Sequence, residues 1–375
     1  MTKNLSILKY CLLLFLGWKA ALLFITYFGL STFPQIDPYT QKLSFADNTT
    51  DYWFRWSNWD GGHFRGIVEN NYLPEQTVFF PFYPLLMKIL NIVGLDITFA
   101  GLLISHLSLI ASLFFLYKLT LLDFPEKVAK RAIFALLIFP TSFYLGTVYS
   151  ESLFLAVTLA CFYFARTQKT VLSSFFAAAS IATRLAGLAT FAAVLGDHLL
   201  AQGKNFNFRK ILTLKTFLLC LSLLPIPLYM LFQQVLFQNP WGFLTNESEW
   251  NRHFSLPWEP VLGYLNYLKS VGIFQIGNPA RVFTELAFFI GGVFGFIFSL
   301  YKLKPAYSIF YLLSLILPAF SSTLIAMPRY ILTIFPIFIL LGLIENEVLQ
   351  KIGIIFSLLL LSAYTMLFMG WYWVT

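Results

Sequence analysis

The segment Trp59-Asp60-Gly61-Gly62-His63 places a carboxylate beside two glycines and between aromatic side chains. Glycine permits tight turns and the close approach of a ligand to the backbone. A carboxylate in a partly desolvated cleft can act as a general base towards an acceptor hydroxyl. The structural alternative is that Asp60 caps a short helix starting near His63, because Asp is common at helix N-caps. The spacing alone leaves both roles open.

Neighbouring side chains offer groups that a sugar or phosphate substrate needs. His63 and Arg65 are placed to contact a phosphate or to pair with a carboxylate, and arginine suits bidentate phosphate recognition. Ordinary solvation in a loop is the alternative for both. Trp56, Trp59 and Tyr83 have aromatic faces that suit stacking on a sugar or a position at the membrane interface.

Further ionisable residues begin or interrupt apolar segments. Glu151, Arg184 and Arg329 all occupy such positions. Charged side chains are costly inside a membrane, so each one predicts a functional site, with the lipid phosphate as the ligand for the arginines. The structural alternatives are a Glu151–Arg184 pair, a dipole-stabilised helix start at Glu151, and an Arg329 side chain that extends to the interface. Arg252-His253, in the acidic and aromatic loop NESEWNRHFSLPWEP, is a weaker candidate.

Motifs of other enzyme classes are absent from the sequence. There is no GxxxxGK[ST], HExxH or GxSxG element, and the predicted outer loops contain no DxD pair of the kind that binds metal and nucleotide in soluble glycosyltransferases. An outward-facing transferase would not meet cytosolic nucleotide sugars. Its activated donor would therefore have to be linked to a lipid.

The composition predicts the setting of these residues. Hydrophobic residues make up 58% of the 375, charged residues 11%, and the mean hydropathy is +0.74. Soluble domains carry about 25% charged residues, so we expect an all-α, polytopic integral membrane protein. The net charge of +8 arises from Lys and Arg in short connectors, where these residues set topology, so no nucleic-acid partner is expected.

Apolar segments long enough to cross or enter a bilayer predict about eleven spans. Their approximate limits are 6–30, 97–117, 132–147, 149–165, 171–183, 185–200, 216–238, 283–300, 306–325, 330–344 and 352–372. A short helix at about 81–93 is expected in or near the outer interface. Segments 171–183 and 185–200 are too short to span separately, so we expect a broken pair that lines a polar cavity. The chain is predicted to form one transmembrane domain over residues 1–375.

The distribution of Lys and Arg predicts a multi-pass protein of the cell membrane with a cytoplasmic N-terminus. More than half of the 25 cations then fall in cytoplasmic connectors, including Arg166 and Lys215. The large loops 31–80 and 239–282 fall on the extracytoplasmic face, with the first loop as the expected catalytic one. Most of the unusual polar residues share that face, which favours an extracytoplasmic active site.

Three stretches of the sequence resemble a known family. RWSNWDGGHFRGIVENNYLPEQTVFFPFYPLL, FPTSFYLGTVYSESLFLA and ATRLAG resemble motifs of the GPI mannosyltransferase II family (PIG-V type) and its bacterial relatives, in the GT-C superfamily of membrane glycosyltransferases. The similar order and spacing cover most of residues 53–190. The chain departs from the family pattern at Ser57-Asn58 and Asn70-Asn71.

The resemblance implies a GT-C-like fold and inverting transfer of mannose from polyprenyl-phosphate-mannose to an acceptor hydroxyl. It assigns the base to Asp60 and the departing lipid phosphate to Arg184, with Arg329 or His63. Polyprenyl phosphate is a good leaving group, so no metal or other cofactor is required, although some relatives use divalent ions. The acceptor is a glycan, a lipid or a protein.

Other functions remain compatible with the sequence. A transferase of another sugar would need the same groups, since nothing in the sequence selects the donor sugar. A lipid or glycan transporter is the alternative from another class, and a non-catalytic subunit is a third. Transporters often carry inverted repeats and ionisable residues paired near the bilayer midplane, neither of which is found here.

Overall fold

The computed structural model describes residues 2–37, 43–44, 52–200, 213–250, 252–272 and 278–374. Parts of the predicted loops 31–80 and 239–282 lie outside these residues. The helices and strands are, in chain order, α1 (Thr2–Thr32), β1 (Gln35–Ile36), β2 (Leu43–Ser44), α2 (Asp60–Asn70), α3 (Phe82–Ile92), α4 (Ile97–Thr120), α5 (Glu126–Ile138), α6 (Glu151–Arg166), α7 (Thr170–Thr183), α8 (Gly187–Leu200), α9 (Leu214–Leu221), α10 (Pro225–Phe237), α11 (Gly242–Thr245), α12 (Trp258–Val271), α13 (Asn278–Lys302), α14 (Pro305–Ala319), α15 (Met327–Leu332), α16 (Pro336–Gly342) and α17 (Glu347–Met369).

The described residues are nearly all helical, as predicted, apart from a two-residue antiparallel pair that joins β1 to β2. Five stretches are long and apolar enough to cross a membrane by length and composition: Asn4–Thr32, Ile97–Thr120, Leu214–Phe237, Ala280–Lys302 and Glu347–Met369. Helices α3, α7, α8 and α14 are apolar but shorter. An integral membrane protein is therefore supported, while the predicted number of eleven spans and their orientation stay predictions.

Prolines explain where the predicted spans are interrupted. The segment 132–147 ends as a helix at Ile138, because Phe139 precedes Pro140 and is held in an extended conformation. Pro225 starts α10 and Pro336 starts α16, so the predicted spans 216–238 and 330–344 each consist of two helices. Proline is tolerated in the first turn of a helix, where its missing N–H has no intrahelical partner to lose.

The chain divides into two compact units. The first contains Met1–Asn71, Tyr83–Leu153 and Leu341–Val374. Within it, α1 packs against α4 and α17, and α4 packs against α5. Its centre includes the fully buried rings of Phe143, Tyr149 and Phe368, with centroids 5.1 Å apart for Phe143–Phe368 and 6.0 Å for Tyr149–Phe368.

The second unit contains Tyr72–Phe82 and Phe154–Leu340. In this unit α8 packs against α14 and α7, while α13 packs against α12, α14 and α15. Phe162 is buried between Phe310 and Phe335, at centroid distances of 5.4 and 5.0 Å. Parts of the two predicted outer loops also meet here, since Asn246 Nδ2 donates to Pro74 O at 2.5 Å and Trp250 Nε1 donates to Glu75 O at 3.1 Å.

The expected break between segments 171–183 and 185–200 is present in the second unit. Helix α7 ends at Thr183, and α8 starts at Gly187 and packs back against α7. Buried hydroxyls of Thr158, Ser180 and Thr190 lie 3.0–3.2 Å from one another, which satisfies polar groups of α6, α7 and α8 inside the protein. A Cβ at position 187 would lie 2.4 Å from Ile181 N, so only glycine fits this turn.

The break generates a stability prediction. We expect Gly187→Ala to lower the free energy of unfolding by about 2 kcal/mol or more, because the added methyl group meets backbone atoms that have little room to move. The matched control is Gly263→Ala in α12, where a Cβ would meet nothing within 4 Å. Thermal unfolding in detergent is the measurement, and equal melting temperatures for the two variants would contradict the prediction.

Candidate functional site

Asp60 is the first residue of α2. The capping alternative places the start of this helix near His63, so the helix begins three residues earlier than that alternative expects. Its side chain is partly exposed, whereas the preceding residues Arg55, Trp56, Ser57 and Asn58 are buried. The positive end of the helix dipole favours a negatively charged carboxylate in this first turn. The sequence therefore folds so that a carboxylate emerges from a rigid, buried segment.

The backbone around Asp60 is fixed by Tyr149. The Asp60 N–H donates to Tyr149 Oη at 3.2 Å, and the Tyr149 hydroxyl donates to Asn58 O at 3.1 Å. Val148 N–H donates to Trp56 O at 2.8 Å on the same side of the segment. These bonds join the Trp59-Asp60 motif to the Tyr149-Ser150-Glu151 motif within the first unit.

The C-terminal end of α17 supports the same segment. Arg55 Nη1 donates to Met369 O at 2.8 Å, and Asn58 Nδ2 donates to Phe368 O at 2.9 Å. Hydrogen bonds from side chains satisfy carbonyl groups that have no partner in the last turn of a helix. A remote part of the sequence thereby determines where Asp60 lies.

Aromatic packing holds Trp59 directly beside Asp60. Its ring lies 5.5 Å from Trp371 and 4.9 Å from Trp373, in the second case edge to face. Trp59 has a φ of 56°, an unfavourable conformation for a residue with a large side chain. Such strain persists only where the surroundings enforce it, and it clusters at functional sites.

The two glycines of the motif have different surroundings. A Cβ on Gly61 would lie 3.2 Å from both Ser57 Cβ and Val148 O, whereas the nearest atom to a Cβ on Gly62 is 3.9 Å away. Gly61 therefore permits the close approach of α2 to the 147–149 segment. Gly62 is exposed and packs against little.

The other candidate residues near Asp60, which are His63, Arg65 and Trp56, differ in how far they are exposed. His63 is partly exposed, one turn after Asp60 on α2. Arg65 lies 3.5 Å from Glu69 and 4.3 Å from the centre of the Phe54 ring, so it covers the outside of α2. Trp56 is fully buried, with Lys19 Nζ 3.4 Å from its ring centre, and its faces are not open for stacking on a sugar.

Tyr83 is also fully buried and lies within the packing of the first unit. Its hydroxyl is 3.0 Å from Gly101 O and 2.9 Å from Ser105 Oγ, and Ser105 Oγ donates to Tyr149 O at 3.2 Å. Tyr83 thus supports the Tyr149 turn and does not offer a face to a ligand. Glu151 follows that turn as the first residue of α6 and is only 1% exposed.

Three arginines converge in the second unit. The Cζ atoms of Arg184, Arg252 and Arg329 lie 5.9, 5.8 and 5.9 Å from the ring centre of Tyr330. Arg252 Nη1 donates to the Tyr330 hydroxyl at 2.7 Å. We call these four residues the arginine cluster. Guanidinium groups gathered in a partly buried place form a strong candidate site for a phosphate.

The three arginines of the cluster lie beside or near the ends of helices. Arg184 follows the last residue of α7 in an extended conformation, and Arg329 lies in the first turn of α15. Ala326, which precedes α15, has a φ of 69°. Arg252 belongs to the loop before α12 and also donates to Ile325 O at 3.4 Å.

A buried network fixes the loop that leads to Arg329. Tyr264 Oη donates to Glu285 Oε2 at 2.7 Å, lies 2.9 Å from Thr323 Oγ1, and accepts from Leu324 N–H at 3.2 Å. Burial, with Glu285 nearby, raises the pKa of the Tyr264 hydroxyl, so it stays protonated and donates. The loop before the arginine cluster is thus held by side chains of α12 and α13.

The groups around Arg252 stabilise the charged form of its guanidinium. The Tyr330 phenol is the main cause that raises the pKa of Arg252 above its ordinary value. Burial raises the pKa of the nearby Glu247 carboxyl, and Arg252 opposes that shift. Among residues 2–37, 43–44, 52–200, 213–250, 252–272 and 278–374, no group of three or more His, Cys, Asp or Glu side chains could hold a metal ion.

Sequence reasoning missed several residues that define these sites. From the sequence, Tyr330, Trp371 and Trp373 lie in predicted spans or at their ends, and the motifs that contain Tyr149 and Asn58 do not single out these two residues. Their roles depend on contacts across long sequence separations, for which local patterns carry no signal. Arg252 had the clearest signal, as a cation in a polar aromatic loop predicted to share a face with Arg184 and Arg329.

No protein-family model matches the sequence, and no curated protein matches it either. Solved structures do share the fold. ArnT from Cupriavidus metallidurans, bound to undecaprenyl phosphate, is similar over 95% of this chain and 75% of its own, at 15% identity and a TM-score of 0.51. The oligosaccharyltransferase from Archaeoglobus fulgidus in its apo form is similar over 99% of this chain, at 14% identity and a TM-score of 0.54.

These similarities show that the chain shares the fold of both solved structures, and the GT-C superfamily implied by the sequence resemblance stays a prediction. The chain spans 56% of the length of the oligosaccharyltransferase. The narrower resemblance to the PIG-V type family finds no support in the family comparison and stays a prediction.

The surroundings of the two glycines predict opposite effects of the same substitution. Gly62→Ala should stabilise the protein by up to about 1 kcal/mol, because alanine has the higher helix propensity. Gly61→Ala should be destabilising by about 1 kcal/mol, because crowding against Val148 O and Ser57 outweighs that gain. Thermal unfolding of both variants checks this, and a stabilising Gly61→Ala would contradict the packing described above.

Proposed function

We propose that the protein is a membrane glycosyltransferase that moves a sugar, with mannose as the first candidate, from a polyprenyl-phosphate donor to an acceptor hydroxyl. The carrying observation is the convergence of Arg184, Arg252 and Arg329 on Tyr330. A lipid-phosphate leaving group needs cations where its negative charge develops, and fixed cations are often the largest contribution to catalysis.

The arginine cluster provides the donor end of the reaction. Arg184 and Arg329 are the two arginines assigned to the lipid phosphate, while Arg252 is already bonded to Tyr330 and fixes the ring around which they gather. Planar guanidinium groups bind phosphate oxygens in pairs, which orients the leaving group as well as neutralising it. ArnT was solved with undecaprenyl phosphate, which is consistent with a polyprenyl phosphate as the leaving group in a protein of this fold.

Asp60 provides the acceptor end. Its carboxylate would take the proton of the acceptor hydroxyl while that oxygen forms a bond to the sugar C1. The bond from C1 to the phosphate oxygen breaks, and its electron pair leaves with the polyprenyl phosphate. Attack opposite to the leaving group inverts the configuration at C1. The backbone bond from Asp60 to Tyr149 holds the carboxylate in place without using its oxygens.

The other candidates take supporting roles in this proposal. His63, on the same helix as Asp60, would bind substrate or the phosphate. Trp59 is the aromatic residue assigned to the sugar, since Trp56 and Tyr83 are buried. Glu151 is buried, so it would act behind the Tyr149 turn as a positioning residue, and Arg65 would bind substrate at the outer surface of α2. The chemistry assigns no step to a metal ion.

The base assignment is tested by Asp60→Asn and Asp60→Ala. Each variant should transfer mannose from polyprenyl-phosphate-mannose at least about 100-fold more slowly than wild type, because the proton acceptor is lost. Radiolabel incorporated into membrane products measures the rate, in buffer with and without a chelator. Glu347→Gln, exposed at the start of α17 and paired with Lys351, is the matched control and should retain activity.

Outcomes of this experiment separate the alternatives. Activity retained in Asp60→Asn would remove Asp60 as the base and redirect attention to Glu151. Transfer from a different sugar donor, but none from the mannose donor, would keep the chemistry and change the sugar. If no polyprenyl-phosphate sugar is used by the wild type, the transferase proposal fails and lipid transport becomes the function to test.

The arginine cluster makes a separate prediction. Arg184→Gln and Arg329→Gln should each lower kcat by about 100-fold and raise KM for the donor, because the charge on the leaving phosphate loses a partner. Lys302→Gln, at the exposed end of α13, is the charge-matched control and should behave as wild type. Unchanged kcat in both arginine variants, with normal expression, would exclude the cluster from the reaction.

A further inference from the structure

We propose that the second unit has another anion-binding site, formed by Arg166, Lys215 and His198, that takes a phosphate group. These three basic side chains line one pocket of about 110 Å³, together with Asp197, Gln168 and Thr170. A water molecule in liquid occupies about 30 Å³, so the space would hold three to four waters or one tetrahedral anion.

The pocket lies far from the arginine cluster within the same unit. Thr170 is the first residue of α7 and Arg184 directly follows its last residue. A helix of 14 residues is about 20 Å long, so the two places are at opposite ends of α7. In the topology predicted from the sequence, Arg166 and Lys215 belong to cytoplasmic connectors. The pocket therefore serves a ligand other than the donor phosphate at the arginine cluster.

Three elements bring the basic groups together. Arg166 ends α6, His198 lies in the last turn of α8 and Lys215 lies in the first turn of α9. The Arg166 guanidinium is oriented by the buried Tyr307 hydroxyl, to which Nη1 donates at 2.7 Å. Lys215 Nζ donates to Gln168 Oε1 at 3.4 Å. Donors that approach from separate elements suit a tetrahedral anion better than a planar carboxylate.

The side chains that line the pocket carry a net positive charge, which favours an anion over a cation. Arg166 and Lys215 outweigh the single carboxylate of Asp197. The start of α7 also directs backbone N–H groups with no intrahelical partner towards its N-terminal end, which favours negative charge there. A phosphate can reach this place as the headgroup of an anionic lipid or as a soluble phosphate, and both present the same oxygens.

Direct binding tests the site in full-length protein. We expect inorganic phosphate to bind to the pocket of the wild-type protein. Lys215→Gln should raise the Kd of phosphate for this pocket by roughly tenfold, because one charge-assisted hydrogen bond is lost. His198→Gln is a second variant that weakens binding independently of Lys215. Lys351→Gln is the matched control, since Lys351 is exposed and pairs with Glu347 on α17. Isothermal titration in detergent gives the constants.

Two further arms identify the source of the phosphate and separate this site from the donor site. Arg329→Gln should bind phosphate at the pocket of Lys215 as the wild type does. Arg329 belongs to the arginine cluster, which lies at the other end of α7. In nanodiscs, adding phosphatidic acid to phosphatidylcholine should raise Tm more for wild type and Lys351→Gln than for Lys215→Gln if the ligand is a lipid headgroup. Phosphate binding with no such lipid effect assigns a soluble phosphate. Equal phosphate binding by wild type, Lys215→Gln and His198→Gln would overturn the proposal.

Discussion

The structure depends on one constraint, that backbone polar groups at membrane depth must find partners inside the protein. A helix can be interrupted there only where other groups replace the lost hydrogen bonds. At the break between α7 and α8, the Arg184 N–H donates to Ser180 O at 3.1 Å and the Gly187 N–H donates to Arg184 O at 2.8 Å, while the hydroxyls of Thr158, Ser180 and Thr190 bond one another. Because such places are costly to build, they are also the places where a charged residue such as Arg184 can be held.

The same rule explains why the candidate functional groups lie at the ends of helices. Asp60 begins α2, Glu151 begins α6, and Arg329 lies in the first turn of α15. Two of these helices follow a residue with positive φ, Trp59 before α2 and Ala326 before α15. Strained turns hold side chains at fixed angles, provided that packing over-determines them. Here Trp371 and Trp373 do so for Trp59, and the Tyr264 network does so for the loop that ends at Ala326.

Tyrosines perform a shared role in the two units. Tyr149 bonds the backbone at Asn58 and Asp60, while Tyr330 bonds Arg252 and forms the centre around which two more arginines gather. A phenol combines a large buried ring with one polar atom, so it can fix a polar group from within a core. In both places the tyrosine positions the polar groups around it.

The sequence by itself determined the membrane class, the helical content and the break between α7 and α8, and it singled out Asp60, Arg184 and Arg329 as candidate site residues. These features follow from local rules: apolar length, proline and glycine positions, and the cost of a charge in an apolar segment. Tertiary structure alone decided that Trp56 and Tyr83 are buried, that Arg252 joins Arg184 and Arg329, and that the end of α17 supports Asp60. Those outcomes depend on contacts between residues more than 300 positions apart, such as Asn58 and Phe368 at a separation of 310, and side-chain types in one segment carry no information about such a partner.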